Sequence, residues 1–259
     1  MAEKKIREID ERLERLLIKG KESDNYKVRD DVFDEATLKT LYKLSNKGVI
    51  NAMGGSISTG KEANVFHAIG EDEEELAIKI YRIATSDFKA MQDYLAGDPR
   101  FGNVKNDKKS IVFAWTKKEL RNLNRSHDVG IRVPKPITSD RNILIMEFIG
   151  NDGIAAPRLK DIKSQLEDVD EIFDTVVEYI VKLYNEAHLV HSDLSEFNIL
   201  YDDGRPVFID MGQAVTLDHP KAEEFLERDI KNIVRFFGKL GVKSDELDLL
   251  EMVRDREDD

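Results

Sequence analysis

No cysteine occurs anywhere in the chain. Disulfides, thiolate metal sites and thiol nucleophiles are therefore excluded, and the lack accords with a cytoplasmic setting. Long apolar runs are missing too. The longest aliphatic stretch is Ile143 to Met146, far short of the length that crosses a bilayer, so no membrane association is expected. The first residues alternate charged with apolar side chains and lack the apolar core of a signal peptide. Excess positive charge is also absent: 40 Lys+Arg against 52 Asp+Glu give a formal charge of −12, which argues against a generic nucleic-acid binder. One stretch departs from this. Between Arg100 and Arg125, eight basic residues stand against only Asp107 and Glu119. A solvated helix face is the simpler account; contact with a nucleic-acid backbone is the functional one.

What is present suits a globular molecule: 259 residues, 41% hydrophobic and 36% charged, enough for one large domain or two lobes. Ile6, Ile9, Leu13, Leu16 and Leu17 recur at helical spacing before Gly20, and Asp34 is placed to cap a second helix ending at Gly48. Residues 1–48 thus read as an N-terminal helical extension. From Val49 the texture turns to short β-like runs, and 49–149 reads as a sheet with one helix, "WTKKELRNLNRSHDVG". Within it, about 84–110 lacks helical periodicity, contains Gly97, Pro99 and Gly102, and is expected to be a flexible insertion. Residues 150–259 are mainly helical. They carry an apolar stripe from Phe173 to Ala187, two short strands around an Asp-Gly turn, and a helix between Pro220 and Gly241.

The chemistry begins at "GGSISTGKEANVF". Gly55, Gly60 and Lys61 give the spacing of a P-loop, but Glu62 stands where Mg²⁺ needs a hydroxyl. A P-loop hands its chain from strand to helix, whereas "EANVFHAI" is β-rich. A Gly-rich strand–turn–strand is the protein-kinase arrangement, although glycines in a hairpin also make ordinary turns. "LAIKIY" then places Lys79 in an aliphatic strand, matching the lysine that pairs the α/β-phosphates. Burying it needs a partner; Glu119 is the natural counter-ion, unless it is a plain surface glutamate. "HSDLSEFNIL" reproduces H-x-D-x-x-x-x-N, with Asp193 as the base and Asn198 as a metal ligand. "FIDMG" puts Asp210 at the end of an apolar strand, where D-F-G should be. These elements in this order indicate a hydroxyl phosphotransferase of the kinase fold. Departures are equally informative. Ser192 replaces the Arg of H-R-D, Met211 replaces Phe, no A-P-E follows, and only 49 residues lie beyond Asp210. The expected fold is α+β, bilobal and protein-kinase-like, with a truncated C-lobe.

"STGKEANVF", "LAIKIY", "HSDLSEFNIL" and "IDMGQ" together closely resemble the RIO family of atypical serine kinases, in particular the type-one branch shared by archaea and eukaryotes, with an archaeal source expected. The resemblance runs from about Val49 to Leu240. It implies a non-specific serine/threonine kinase or ATPase that uses ATP with Mg²⁺ or Mn²⁺ and acts in maturation of the pre-ribosomal small subunit. It further implies that phosphorylation of Asp210 during ATP hydrolysis matters beside transfer to other proteins. By motif, Ser56, Ser58 and Lys61 would hold phosphate, with Lys79 paired to Glu119. Met146 would guard the adenine pocket, and the backbone of Glu147 and Ile149 would meet the adenine edge. Asp193 would be the base, with Asn198 and Asp210 holding metal. Asp229 resembles a helix aspartate that anchors the catalytic loop, unless it is a surface acid. Two alternatives stand beside this: a small-molecule phosphotransferase of the aminoglycoside or choline kinase type, and a slow ATP-gated assembly switch. The insertion is a candidate for autophosphorylation, at Ser110 or else at Thr85 or Ser86.

Overall fold

The computed structural model describes residues 33–255. The helix expected over Ile6–Leu17 and the polar linker after it lie outside the described residues. Compactness divides the chain into two units that are not contiguous in sequence. One takes the chain up to Met91, Lys105–Lys117 and Pro136–Ala155; the other holds Gln92–Val104, Lys118–Lys135 and Ala156 onward.

The first unit opens with α1 (Glu35–Asn46), started by Asp34, whose carboxylate accepts from the Thr37 N–H at 2.7 Å. Gly48, at φ 77°, ends it in the left-handed region where glycine is at ease. Strands β1 (Ala52–Thr59), β2 (Ala63–Ile69), β3 (Glu75–Tyr81), β4 (Pro136–Asp140) and β5 (Ile143–Glu147) follow. They form one antiparallel sheet in the order β1-β2-β3-β5-β4. Strand β2 alternates buried and half-buried residues, whereas β3, paired on both sides, is buried almost throughout. Phe66, Ala68, Ile78, Ile80, Ile143 and Ile145 share a core with Leu41 and Leu44 of α1. The second expected helix is thus part of the sheet's packing rather than an external extension. Its far side is tied by Asn142, whose amide donates to the Thr37 hydroxyl (3.0 Å) and the Tyr81 carbonyl (2.9 Å). A hairpin of β6 (Gly150–Asn151) and β7 (Ile154–Ala155) completes the unit.

The stretch 84–110 corrects an expectation. Instead of a structureless insertion it carries α2 (Phe88–Ala96), a 3₁₀ turn over Pro99–Phe101, and the first residues of α3 (Lys108–Asp128). Met91 and Leu95, spaced one helical turn apart, are buried. Gly97 and Gly102 flank the 3₁₀ turn and Pro99 opens it, so each element is too brief for its periodicity to be read. Asp98 caps the 3₁₀ turn through the Arg100 N–H (3.0 Å), and Asp107 caps α3 through the Ser110 N–H (3.0 Å).

The second unit packs α5 (Val169–Asn185), α6 (Ala222–Gly238) and α7 (Glu246–Arg254), preceded by the short α4 (Leu159–Ile162). The α5 stripe buries Phe173, Val176, Val177, Ile180 and Leu183 as its spacing predicts. Small two-stranded sheets pair β8 (Leu189–Val190) with β11 (Val215–Thr216), and β9 (Ile199–Asp202) with β10 (Arg205–Phe208). The β9–β10 turn has positive φ at Asp203 (47°) and Gly204 (76°), the pattern of a tight hairpin turn.

Candidate active site

In the second unit, β8 delivers the chain into the loop 191–198. His191 is buried, its Nε2 donating to the Ile209 carbonyl at 3.0 Å. Burial pushes the imidazole down to about 4, so it is neutral at ordinary pH. Ser192 follows at φ 67° and is fully buried. Ser192 and Leu194 turn their N–H groups onto Asp229 of α6, at 2.7 and 2.9 Å. Burial raises the Asp229 carboxyl to about 7, against the pull of those two donors and of Arg228. Arg228 bonds the Ser192 carbonyl, and Asn232 donates to the Leu194 carbonyl at 3.1 Å. Asp229 thus makes the backbone contacts an anchoring aspartate requires.

The loop's exit sets the two groups on which the chemistry turns. The Asn198 amide donates to the Asp193 carbonyl (2.8 Å) and to its Oδ2 (2.9 Å), so the metal-ligand candidate orients the base candidate. Burial, then the charge of Asp210, raise the Asp193 carboxyl, while the Asn198 bond and Arg228 oppose them. Asp210 sits at φ 62°, a left-handed conformation uncommon for aspartate. Asn198 and Asp210, the candidate metal ligands, offer one amide and one carboxylate. No cluster of three or more His, Cys, Asp or Glu suited to a metal occurs among the described residues. A site of one carboxylate and one amide fits Mg²⁺, which keeps waters and phosphate oxygens as ligands.

In the first unit, Lys79 lies in β3 opposite Val65 of β2 and Leu144 of β5. Its neighbours Ile78 and Ile80 face α1, so by strand alternation Lys79 faces the other way. Met146 pairs with Ala77 and shares that face. After β5, Phe148 donates its N–H to the Glu75 carbonyl at 3.2 Å, with Glu147 and Ile149 on either side. The hairpin β1–β2 is interrupted by irregularities between Met53 and Ser56 and between Ser56 and Ser58. Ser58 pairs with Val65 on the Lys79 side; Ser56 pairs with Phe66, and its hydroxyl lies 3.3 Å from that of Thr59. Lys61 is exposed at the turn. Gly55 has no positive φ, and a Cβ there would meet nothing within 4 Å. Neither packing nor a positive φ demands glycine at that position, which lies within the irregular pairing between Met53 and Ser56. Glu119, on the part of α3 that belongs to the second unit, is buried, not a surface acid.

The profile of the RIO domain matches residues 64–250. The chain belongs to the RIO family. A Haloferax volcanii protein named RIO-type serine/threonine-protein kinase Rio1 is 49% identical over 98% of this chain and 85% of its own length. The Rio1 of Methanocaldococcus jannaschii is 42% identical over 91% and 80%. The human serine/threonine-protein kinase RIO1 is 40% identical over 84% of this chain, which spans only 40% of that relative. The Rio2 kinase–ADP/Mg²⁺–phosphoaspartate complex from Chaetomium thermophilum superposes with a TM-score of 0.63 at 22% identity, over 84% of this chain and 66% of that one. The RIO chain therefore has the bilobal α+β protein-kinase-like fold.

Motif reading missed Arg228, Asn232, Gln213, Lys118 and Asn122. Asn232 carried a signal, three residues after Asp229 and so on the same helix face. The basic stretch 100–125 also needs correction as a surface feature. Lys118 is fully buried, and the Arg100 guanidinium is paired with Asp98 at 2.6 Å. Two of its cations are thus used inside the molecule. No helix among the described residues is long and apolar enough to cross a membrane.

Proposed function

We propose that this RIO protein binds ATP with Mg²⁺ or Mn²⁺ and transfers the γ-phosphoryl group to a serine or threonine hydroxyl, as a type-one member of archaeal kind. The observation that carries the reading is the Asn198–Asp193 pair on a loop clamped by Asp229. Asn198 and Asp210 would hold the cation, which would supply charge neutralisation at the phosphates. Lys79 meets the phosphates from β3, and the Ser56, Ser58 and Lys61 hairpin covers them. Met146 borders the adenine, whose edge meets the backbone of Glu147 and Ile149. With Oδ2 engaged by Asn198, Asp193 takes the acceptor's hydroxyl proton on Oδ1. The acceptor oxygen bonds to the γ-phosphorus as the bond to the ADP oxygen breaks. Membership of the RIO family weighs against the small-molecule phosphotransferase alternative.

Measuring phosphoryl transfer and ATP turnover with Mg²⁺, with and without small-subunit precursor, tests this reading and separates a kinase from a slow assembly switch. Asp193→Asn is expected to lower kcat by about 10²–10⁴ with ATP affinity kept within about tenfold. Wild-type turnover in that variant overturns the assignment.

A second reading follows from the phosphoaspartate in the Chaetomium thermophilum structure. An Asp210 oxygen takes the phosphoryl group, ADP leaves, and water later cleaves the acyl phosphate. Label lost to hydroxylamine marks that route; hydroxylamine-stable label marks serine or threonine. For autophosphorylation, Ser86 is removed as an acceptor because it is buried and donates to the Arg82 carbonyl. Ser110 stays a candidate, but its hydroxyl is bonded to Asp107 at 2.7 Å in the first turn of α3, so transfer requires that turn to open. The partner implied by the family is the pre-ribosomal small subunit, with Lys105, Lys108, Lys109, Lys117, Arg121 and Arg125 as the cations available to rRNA phosphates.

A further inference from the structure

The loop after Asp210 is held by side chains that no catalytic motif contains. Its carbonyls at Met211, Gly212 and Ala214 point into the interior. Lys118, fully buried, donates to Gly212 (2.7 Å) and Ala214 (2.5 Å). Asn122, equally buried, donates to Met211 (2.9 Å) and Ala214 (2.8 Å). The fourth residue, Gln213, accepts at its side-chain oxygen from the Tyr94 hydroxyl (3.0 Å), while its amide lies 3.4 Å from Asp193 Oδ2. The Tyr94 ring is itself fixed, stacked at 5.5 Å on Phe225 and at 6.5 Å on His219. Behind them, Arg100 grips Asp98 with both nitrogens of its fork and donates to the Asn122 oxygen at 2.9 Å. Every one of these residues lies in the second unit.

A buried lysine is costly to keep unless its donors are satisfied. A leucine would fill the space more cheaply if packing were all that the position required. Here the ammonium is spent on backbone oxygens two and four residues past an aspartate held in a left-handed conformation. We propose that Lys118, Asn122 and Tyr94 are positioning residues: they fix the loop Met211–Ala214, and through it the setting of Asp210 and of Asp193. The segment from α2 to the 3₁₀ turn is then a working part of the site. This rests on the phosphotransfer reading and adds residues to it.

The test uses the full chain. In Tyr94→Phe, which keeps the ring and removes one oxygen, kcat is expected to fall by about 3–10-fold with the KM for ATP within about twofold. In Lys118→Met, the Mg²⁺ concentration for half-maximal turnover is expected to rise about tenfold, with metal-free nucleotide affinity unchanged. Because both act on one loop, the double variant should lose less than the product of the single losses. A merely structural role would give proportional losses with no change in Mg²⁺ dependence. If Lys118→Met does not fold, Tyr94→Phe still decides. A readout free of turnover is the ¹⁵N side-chain amide signals of Gln213 and Asn198 in nucleotide-free protein, both of which should shift in Tyr94→Phe. Absence of ATP turnover in the wild type sinks the function; the amide signals still judge the clamp. Unchanged kcat together with unmoved amides in Tyr94→Phe, or wild-type Mg²⁺ dependence in a folded Lys118→Met, overturns the proposal.

Discussion

The loop 191–198 and the hairpin 54–61, the two segments proposed to handle phosphate, are built in opposite ways. The loop is fastened from α6 at three points, by Asp229, Arg228 and Asn232, and its His191, Ser192 and Leu194 are buried. The hairpin is exposed from Gly55 to Ser56 and again from Thr59 to Lys61, and it closes on one bond between the Gly60 N–H and the Ala63 carbonyl (2.9 Å). Its turn is tied to the residue that follows β3, where the Arg82 N–H meets the Glu62 carbonyl at 2.8 Å. Groups that carry out proton transfer must be set before substrate arrives, and rigidity there costs buried polar groups. A cover for phosphates can close on its ligand, and Gly55, with open space where a Cβ would stand, suits that task.

Removing the fastening should have the largest effect. Asp229→Ala leaves the buried Ser192 and Leu194 N–H groups without their acceptor and Arg228 without a neighbouring counter-charge, which is expected to cost about 3–5 kcal/mol of stability. Turnover should fall by at least about a hundredfold; urea unfolding and steady-state kinetics measure the two. A variant that keeps both would mean the loop is held by something other than α6.

Next is the acid response of the same loop. His191 has its pKa lowered from 6.5 to about 4 by burial. The unfolded chain therefore binds the extra proton in that window, and stability is lost as pH falls from about 6.5 towards 4, by up to about 3 kcal/mol. Urea midpoints of wild type and His191→Gln across this range should converge on acidification. Parallel curves would show that His191 does not titrate in this way.

The smallest effects belong to the hairpin. Lys61→Ala should lower kcat/KM for ATP by about 3–10-fold with Tm unchanged. Glu62→Ser should leave Mg²⁺ dependence as it is. A large gain in metal affinity there would revive the P-loop interpretation and weaken the contrast between the two segments.

The strands, the α5 stripe and the order of the motifs were legible because each rests on local periodicity or on short-range spacing. Asp34 as a cap and the Asp203–Gly204 turn were readable for the same reason. The helix in 84–110 was hidden by length: one buried turn, Met91 to Leu95, between breakers is too short to register. The loop clamp was hidden by distance, since Lys118 and Gly212 are far apart in sequence and nothing in "WTKKEL" distinguishes a buried lysine from the solvated ones beside it. Asp229 was readable only through resemblance, because its acceptor role depends on backbone groups that have no sequence signature.

The packing of α1 has a practical consequence for anyone trimming the protein. The recognised domain begins at residue 64, yet the first unit's apolar core includes Leu41, Leu44, Ile50 and Met53. Cutting at the profile boundary would strip the helix from one face of the sheet and delete β1 entirely. It would leave β2 as a bare edge, with Phe66 and Ala68 facing water, the kind of strand that recruits other chains. A fragment cut there should aggregate, whereas one that starts ahead of Phe33 keeps its edge protected.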